Sequence, residues 1–138
     1  MRARIASVLG LLSLCVASAA LSHDVETNYR LYCMGCHVSD GSGLEGKVPS
    51  MRGTLVPLAR RSEGRRFLVQ VPGVAQSPLS NADIAALLNW MVLNLAERPA
   101  AQPIAPFTED EVARYRSTRL VGVRATRERV LAAATSDP

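Results

Sequence analysis

The sequence predicts an all-α fold, and three observations support this prediction. Apolar residues recur at helical spacing from Ser80 to Leu95, residues that favour helix N-termini precede several segments, and no useful run alternates apolar and polar residues as a half-buried strand does. The 138 residues show no internal repeat and suffice for one domain with one core.

Residues 1–19 are predicted to be a signal peptide. Met1-Arg2-Ala3-Arg4 is a charged start, residues 5–17 are apolar, and Ser18-Ala19-Ala20 suits cleavage. The apolar run is shorter than the roughly 20 residues of a membrane span, which favours a cleaved signal over an anchor. The formal net charge of +4 includes the two signal arginines, and no stripe of basic and aromatic residues follows, so nucleic-acid binding is not implied.

The domain predicted for residues 20–98 begins with a helix and a loop. Ser22-His23-Asp24 suits the start of a short helix over residues 25–32. Residues 39–49 are rich in Gly, Ser and Pro and predict a loop.

Two further helices are expected in this domain. Ser62 is a candidate cap for a helix over residues 65–71, which Pro72-Gly73 would stop. Ser80 opens the most periodic segment with a capping-box-like pattern. The apolar face of that segment consists of Ile84, Leu87, Leu88, Met91, Val92 and Leu95.

The remaining residues predict a connector and a C-terminal helical extension. Residues 99–107 contain three prolines and predict an extended connector. Thr108 and Glu111 form a capping box that opens a helix in the extension, residues 108–138, and a weaker helix is expected over residues 126–134. The sequence leaves open whether this extension packs on the preceding domain or on a partner.

Cys33-Met34-Gly35-Cys36-His37 is a C-x-x-C-H run, the attachment pattern of covalent c-type haem. Two thiols can add to the haem vinyl groups, and the adjacent imidazole can reach the iron. C-x-x-C also occurs in zinc sites and redox dithiols, but the other cysteine and histidine are Cys15 and His23, and no strand precedes the motif. The motif therefore predicts one covalent haem c, with Cys33 and Cys36 as thioether attachment points and His37 as the proximal iron ligand.

Residues 41–46 match G-x-G-x-x-G, yet a nucleotide site is disfavoured. Such a loop needs a strand before it and a helix after it, whereas a haem motif precedes this one and Pro49 follows. The glycines instead suit a loop that passes close to a flat ring.

The motif and its surroundings resemble the class I c-type cytochromes over residues 25–95. The resemblance implies a cytochrome c-like helical domain wrapped around one haem, which is attached outside the cytoplasm. It also implies that the Pro49 carbonyl orients the proximal imidazole and that Trp90, on the last helix of the domain, crosses the N-terminal helix.

The chain departs from this family at the sixth iron ligand. The family usually supplies a methionine from the loop before its last helix, and residues 71–78 contain none. The candidates are Met51, Met91, Gln76, His23, a water molecule or no ligand. Both methionines are expected to pack as core side chains rather than to ligate.

Together these features predict a periplasmic monohaem cytochrome that transfers single electrons between redox proteins and is not an enzyme. The resemblance extends to small cytochromes that serve periplasmic dehydrogenases, so such an enzyme is a candidate donor. The alternative is a haem protein that binds or senses a small ligand at an open iron position. A structural subunit held to a complex by its extension is a third hypothesis. No stable membrane span is expected after signal cleavage.

The densest basic cluster suggests a docking surface. It consists of Arg60, Arg61, Arg65 and Arg66. Such charges can speed the encounter with an acidic redox partner. A solvated helix face is the simpler interpretation and is slightly preferred.

Overall fold

The computed structural model describes residues 24–135 and confirms the all-α prediction. The predicted signal peptide, Cys15 and His23 lie outside the described residues. The helices of the described residues are α1 (Val25–Tyr32), α2 (Met34–His37), α3 (Leu55–Ala59), α4 (Ser62–Gln70), α5 (Pro72–Ala75), α6 (Asn81–Asn94), α7 (Glu109–Arg116) and α8 (Val123–Thr135).

Between residues 24 and 135, extended pairing is limited to one isolated bridge between Leu44 and Val48 in the predicted loop. No helix in that range has both the length and the apolar character needed to cross a membrane.

Helices α1 and α6 cross as the resemblance implies. The Asp24 carboxylate accepts a hydrogen bond from the Thr27 amide and caps α1, and Ser80 caps α6 by accepting from the Asp83 amide. Where the helices meet, the Tyr29 and Trp90 ring centroids are 5.4 Å apart. This aromatic contact holds the N-terminal helix, and the Cys33 that follows it, against the core.

The segment between residues 54 and 76 differs in detail from the prediction. Helix α3 was not predicted, and it contains a proline, Pro57. Pro57 lies in the first turn, where its missing N–H has no intrahelical partner to lose. Ser62 is the first residue of α4 and not its cap, which is Arg61. Pro72 does follow the end of α4, but it also opens the single turn of α5.

Helix α6 supplies most of the core. Its buried face contains five of the six residues that the periodicity singled out, and Leu95, just after the helix, is buried as well. These side chains pack with Tyr29 of α1, with Leu55 and Leu58 of α3 and with Phe67 of α4. The core is therefore one cluster that reaches from the haem motif to the end of α6.

The C-terminal extension packs on the same core. Helix α7 lies against α6 and α4, and α8 lies against α3 and α4. The extension buries Val112 and Val130 in the common cluster, and Phe107, the last residue of the connector, is buried with them. At its start, the Asn89 side chain of α6 donates to the Phe107 carbonyl and accepts from the Phe107 amide, at 3.0 and 2.7 Å.

The arginine cluster serves largely to hold this extension. Arg65 is paired with the Glu111 carboxylate of α7, with 2.6 Å between Arg65 Nε and Glu111 Oε1, and its guanidinium lies 3.9 Å from the centroid of the Phe107 ring. Arg66 lies over the ring of Tyr115. Arg60 donates to the Gln102 carbonyl at 3.4 Å. Arg65 and Arg66 thus contact the extension and Arg60 contacts the connector, which neither the docking nor the solvated-face interpretation anticipated.

Candidate haem-binding site

The C-x-x-C-H motif folds as one short helical turn directly after α1. Cys33 both ends α1 and begins α2: its amide donates to the Tyr29 carbonyl, and its carbonyl accepts from the His37 amide, each at 2.9 Å. This turn sets Cys33 and Cys36 three residues apart and His37 immediately after. The helical spacing brings two sulfurs and one imidazole to the same short element.

The two cysteines differ in their environments. Both are free; Cys33 is half-buried and Cys36 is exposed. Burial, together with the neighbouring Cys36, raises the pKa of the Cys33 thiol to about 11. In the folded chain, Cys33 is therefore a neutral thiol at pH 7.

The His37 ring is set up to act as a neutral ligand. Burial lowers the pKa of His37, which leaves the imidazole uncharged at pH 7 with a lone pair free for a metal. Its Nδ1 atom is buried and has no hydrogen-bond partner. The bond to the Pro49 carbonyl that the resemblance implied is therefore not formed.

Tyr29 holds the backbone just after His37. Its hydroxyl donates to the Val38 carbonyl at 2.6 Å. Val38 has a φ of 51°, a left-handed backbone conformation that is costly for a β-branched residue. Burial is the main factor that raises the pKa of Tyr29 to about 12, so the hydroxyl stays protonated and remains a donor. The strained residue next to the predicted iron ligand is thus fixed from α1.

The glycine-rich loop turns back under the motif as expected. Gly43 has a φ of +75°, and a Cβ there would lie 2.3 Å from the Val48 carbonyl oxygen, so only glycine fits. Its amide donates to the His37 carbonyl, and the Met51 amide donates to the Gly41 carbonyl at 2.9 Å. The first bond joins the loop to the haem motif, and the second joins the two ends of the loop to each other.

A cleft of ≈ 330 Å³ opens beside the motif. Its lining includes Cys33, Cys36 and His37 on one side and is otherwise mainly apolar. The apolar lining residues are Val48, Pro49, Met51, Leu55, Leu58, Phe67, Leu68, Val71, Pro72, Gly73, Val74, Leu88, Met91 and Val123. The polar ones, besides the motif, are Tyr32, Lys47, Ser50, Thr54 and Arg127.

This arrangement fits a flat, apolar group with a metal at its centre. The volume is within the range of small-molecule sites, and the lining is as apolar as such sites usually are. Two thiols border the cleft, and a half-buried imidazole has an unpartnered nitrogen. Thioether attachment and nitrogen ligation are the two bonds that haem c requires of its protein.

The candidates for the sixth iron ligand differ in whether they line the cleft. Met51 and Met91 both line the cleft. Gln76 does not line it and is exposed. His23 lies outside the described residues.

Two lining residues come from α8, which the sequence did not connect with the site. Val123 and Arg127 border the cleft from the extension, and Arg127 donates to the Ser50 carbonyl at 3.4 Å. No local pattern marks them, because their position depends on how α8 packs against α3 and α4.

Comparison with known proteins gives two relatives of one kind. The chain is 27% identical over 115 residues to cytochrome c-552 of Thermus thermophilus, which covers 70% of this chain and 88% of the relative. A second cytochrome c-552, from a further strain of the same species, matches at 27% over 115 residues, with 70% and 78% covered. No protein-family model matches the chain.

The similarity to these cytochromes, together with the C-x-x-C-H motif, supports a class I c-type cytochrome. Cytochromes c bind covalently attached haem c and act in electron transfer, and Cys33 and Cys36 of this chain have the spacing that such attachment needs. The alignment covers 70% of the chain, which is a longer stretch than residues 25–95, from which the resemblance was drawn.

Proposed function

We propose that this cytochrome is a periplasmic electron carrier with a single haem, attached through Cys33 and Cys36 and ligated by His37. The observation that carries the proposal is the folding of the C-x-x-C-H motif as one turn on the border of an apolar cleft. The haem iron, when bound, supplies one-electron chemistry by alternating between its ferric and ferrous states.

The chain's own residues retain and tune the cofactor. Cys33 and Cys36 hold it covalently, and the uncharged His37 ring donates its nitrogen lone pair. The apolar lining excludes water from the ring and so lowers the polarity around it. Low polarity disfavours the more highly charged ferric state, which raises the reduction potential.

The surface around Cys36, one of the two proposed attachment points, offers a route for the electron. Cys36 is exposed, and beside it Leu31, Tyr32 and Met34 are apolar side chains that are 57%, 39% and 37% exposed. A small, uncharged patch of this kind suits the brief contacts that redox proteins make. Electrons would thus enter and leave where the ring comes closest to the surface.

Sequence features support the location and the type of partner. The predicted signal peptide (1–19) directs export, and haem attachment to this motif takes place outside the cytoplasm, so the periplasm is the proposed compartment. A periplasmic dehydrogenase is the proposed donor. His37 is the one histidine among residues 24–135, so this region has no second histidine for acid–base catalysis, and we propose a carrier rather than an enzyme.

Haem staining after denaturing electrophoresis tests the proposal. Chain exported from cells competent in cytochrome maturation should keep its colour after denaturation, whereas C33S/C36S should lose it. H37A should retain attached haem but show an altered spectrum. A wild-type chain with unmodified sulfurs would contradict the assignment.

Rapid mixing with a purified periplasmic dehydrogenase tests the role. Reduction of the cytochrome in step with substrate oxidation is expected. A covalently loaded protein that no such enzyme reduces would contradict the proposed donor.

A further inference from the structure

One wall of the haem cleft contains no side chain that can ligate iron. This wall is formed by the end of α4 and by α5, with Phe67, Leu68, Val71 and Val74 as its side chains and Pro72-Gly73 between them. None of these residues has a side-chain nitrogen, oxygen or sulfur atom. Axial ligands of haem iron are imidazole nitrogen, thioether or thiolate sulfur, or phenolate oxygen, so this wall offers none.

Met51 lies on the side of the cleft where the chain leaves His37. Its Cε atom is 3.5 Å from the position that a Cβ would take on Gly41, and its amide donates to the Gly41 carbonyl. Gly41 follows His37 by four residues and is buried. Met51 therefore packs beside the loop of the proximal segment.

Met91 lines the cleft from α6, one helical turn before a residue that packs on the same loop. Leu95 follows it by one helical turn, and residues four apart share one face of a helix. The Leu95 Cβ lies 3.4 Å from the same Cβ position on Gly41. Met51 thus packs at the proximal loop, and Met91 belongs to α6, so neither methionine is part of the wall made by α4 and α5.

Gln76 is kept away from the cleft by an arginine of the extension. Arg116 donates to the carbonyls of Ala75, Ser77 and Leu79, which flank Gln76 on both sides, and to the Asn81 side chain. A planar guanidinium that bonds four acceptors fixes the backbone between α5 and α6. With the backbone held in this way, the Gln76 side chain is exposed and does not line the cleft.

We propose that no side chain of residues 24–135 occupies the iron position opposite His37, and that this position binds a small uncharged molecule, carbon monoxide or nitric oxide. The inference rests on the proposed attachment of haem to Cys33, Cys36 and His37. An apolar wall does not stabilise an anion such as cyanide. It also offers no hydrogen-bond donor to polarised dioxygen, so uncharged ligands that need no such bond are favoured.

Titration of the dithionite-reduced holoprotein with CO tests the proposal. A complete shift of the Soret band is expected in the wild type, in M51L and in M91L alike, because neither methionine must be displaced. An unchanged wild-type spectrum would overturn the inference. A shift that only M51L or M91L shows would also overturn it and would identify that methionine as the ligand.

A pair of variants locates the binding position. V74F places a bulky ring on the apolar wall and should weaken CO binding by about tenfold, or about 1.4 kcal/mol. V121F is the matched control, because Val121 is 80% exposed and does not line the cleft. Equal CO affinity in V74F and the wild type would contradict the location.

Haem staining of the same samples separates the two proposals. If the haem is covalently attached and CO has no effect, the inference on the open position fails and the carrier assignment stands. If no covalent haem is found, the proposed site itself fails.

Discussion

A single tyrosine links α1 to the residue after the predicted iron ligand. Tyr29 is only 2% exposed, and its hydroxyl bonds the carbonyl of Val38, whose backbone is left-handed. Y29F should lower the free energy of unfolding of the holoprotein by about 1 kcal/mol, the usual contribution of one such bond. Denaturant unfolding followed by circular dichroism measures this change.

The control for this variant is Y115F, which removes a hydroxyl from a half-buried ring that stacks with Arg66. It should change stability less than Y29F does. Equal losses in the two variants would mean that the Val38 contact has no special role.

Asp40, in the loop after the motif, makes the stability of the fold depend on pH. Hydrogen bonds from Ser42 are the largest factor, followed by the hydrogen bond and charge of Arg52, and together they hold the pKa of Asp40 below its usual value of 3.8. The charged carboxylate therefore stabilises the fold above pH 3.8, and this contribution is lost as the pH falls through the lower pKa of the folded state.

D40N tests this dependence, because its side chain can still accept from the Ser42 amide but has no charge to titrate. The variant should be less stable than the wild type at neutral pH, and the difference should shrink below pH 3.8. Thermal unfolding as a function of pH measures both stabilities. E45Q, in the same loop, is the control and should follow the wild-type curve.

At the scale of elements, the packing of α3 on α4 depends on a glycine. A Cβ on Gly64 would lie 2.2 Å from the Leu58 carbonyl oxygen and 2.7 Å from the Leu58 Cα. G64A should therefore destabilise the protein by about 1–3 kcal/mol, even though alanine is the better helix former. Thermal unfolding of the holoprotein measures the loss.

The control is G53A, since the one contact near its added Cβ is the flexible Glu97 carboxylate, at 3.3 Å. That carboxylate can move aside, so G53A should have little effect. A G64A protein as stable as G53A would show that the two helices can separate at no cost.

Sequence patterns predicted those elements whose signals are local. The caps at Asp24, Ser80 and Thr108 and the periodic face of α6 are set by neighbouring residues, and each was confirmed. Helix α3 was not predicted. Its proline lies in the first turn, where proline does not break a helix. The roles of Cys33, Cys36 and His37 come from the motif alone and stay predictions, although the structure gathers all three on one cleft.

Contacts between residues that are far apart in the sequence could not be predicted from local patterns. The charges in the arginine cluster were visible in the sequence, but their partners are set by how α7 and α8 pack. The same holds for Val123 and Arg127 at the cleft, which no nearby pattern could have marked.

At the scale of the molecule, the extension is held to the core by an ion pair with little access to water. The Arg65 and Glu111 side chains are 11% and 14% exposed. E111Q should cost on the order of 2 kcal/mol, less than the roughly 3–5 kcal/mol of a fully buried pair, because the amide keeps one acceptor for the guanidinium. Chemical denaturation of the holoprotein measures the loss.

E63Q is the matched control on the same face. Glu63 pairs with Arg129 of α8 across 3.6 Å, and both side chains are about two-thirds exposed, at 67% and 63%. A surface pair of this kind contributes about 0–1 kcal/mol. If E63Q and E111Q lose the same stability, the extension is not anchored through Arg65.

Helix α8 borders the cleft that also contains Cys33 and Cys36, so residues from both ends of the described chain complete one binding site. During synthesis the two sulfurs emerge early, while Val123 and Arg127, which close one side, are among the last described residues to be added. A chain whose α8 is not docked would leave the cleft open on the side that Val123 and Arg127 border, next to thiols that must meet the porphyrin.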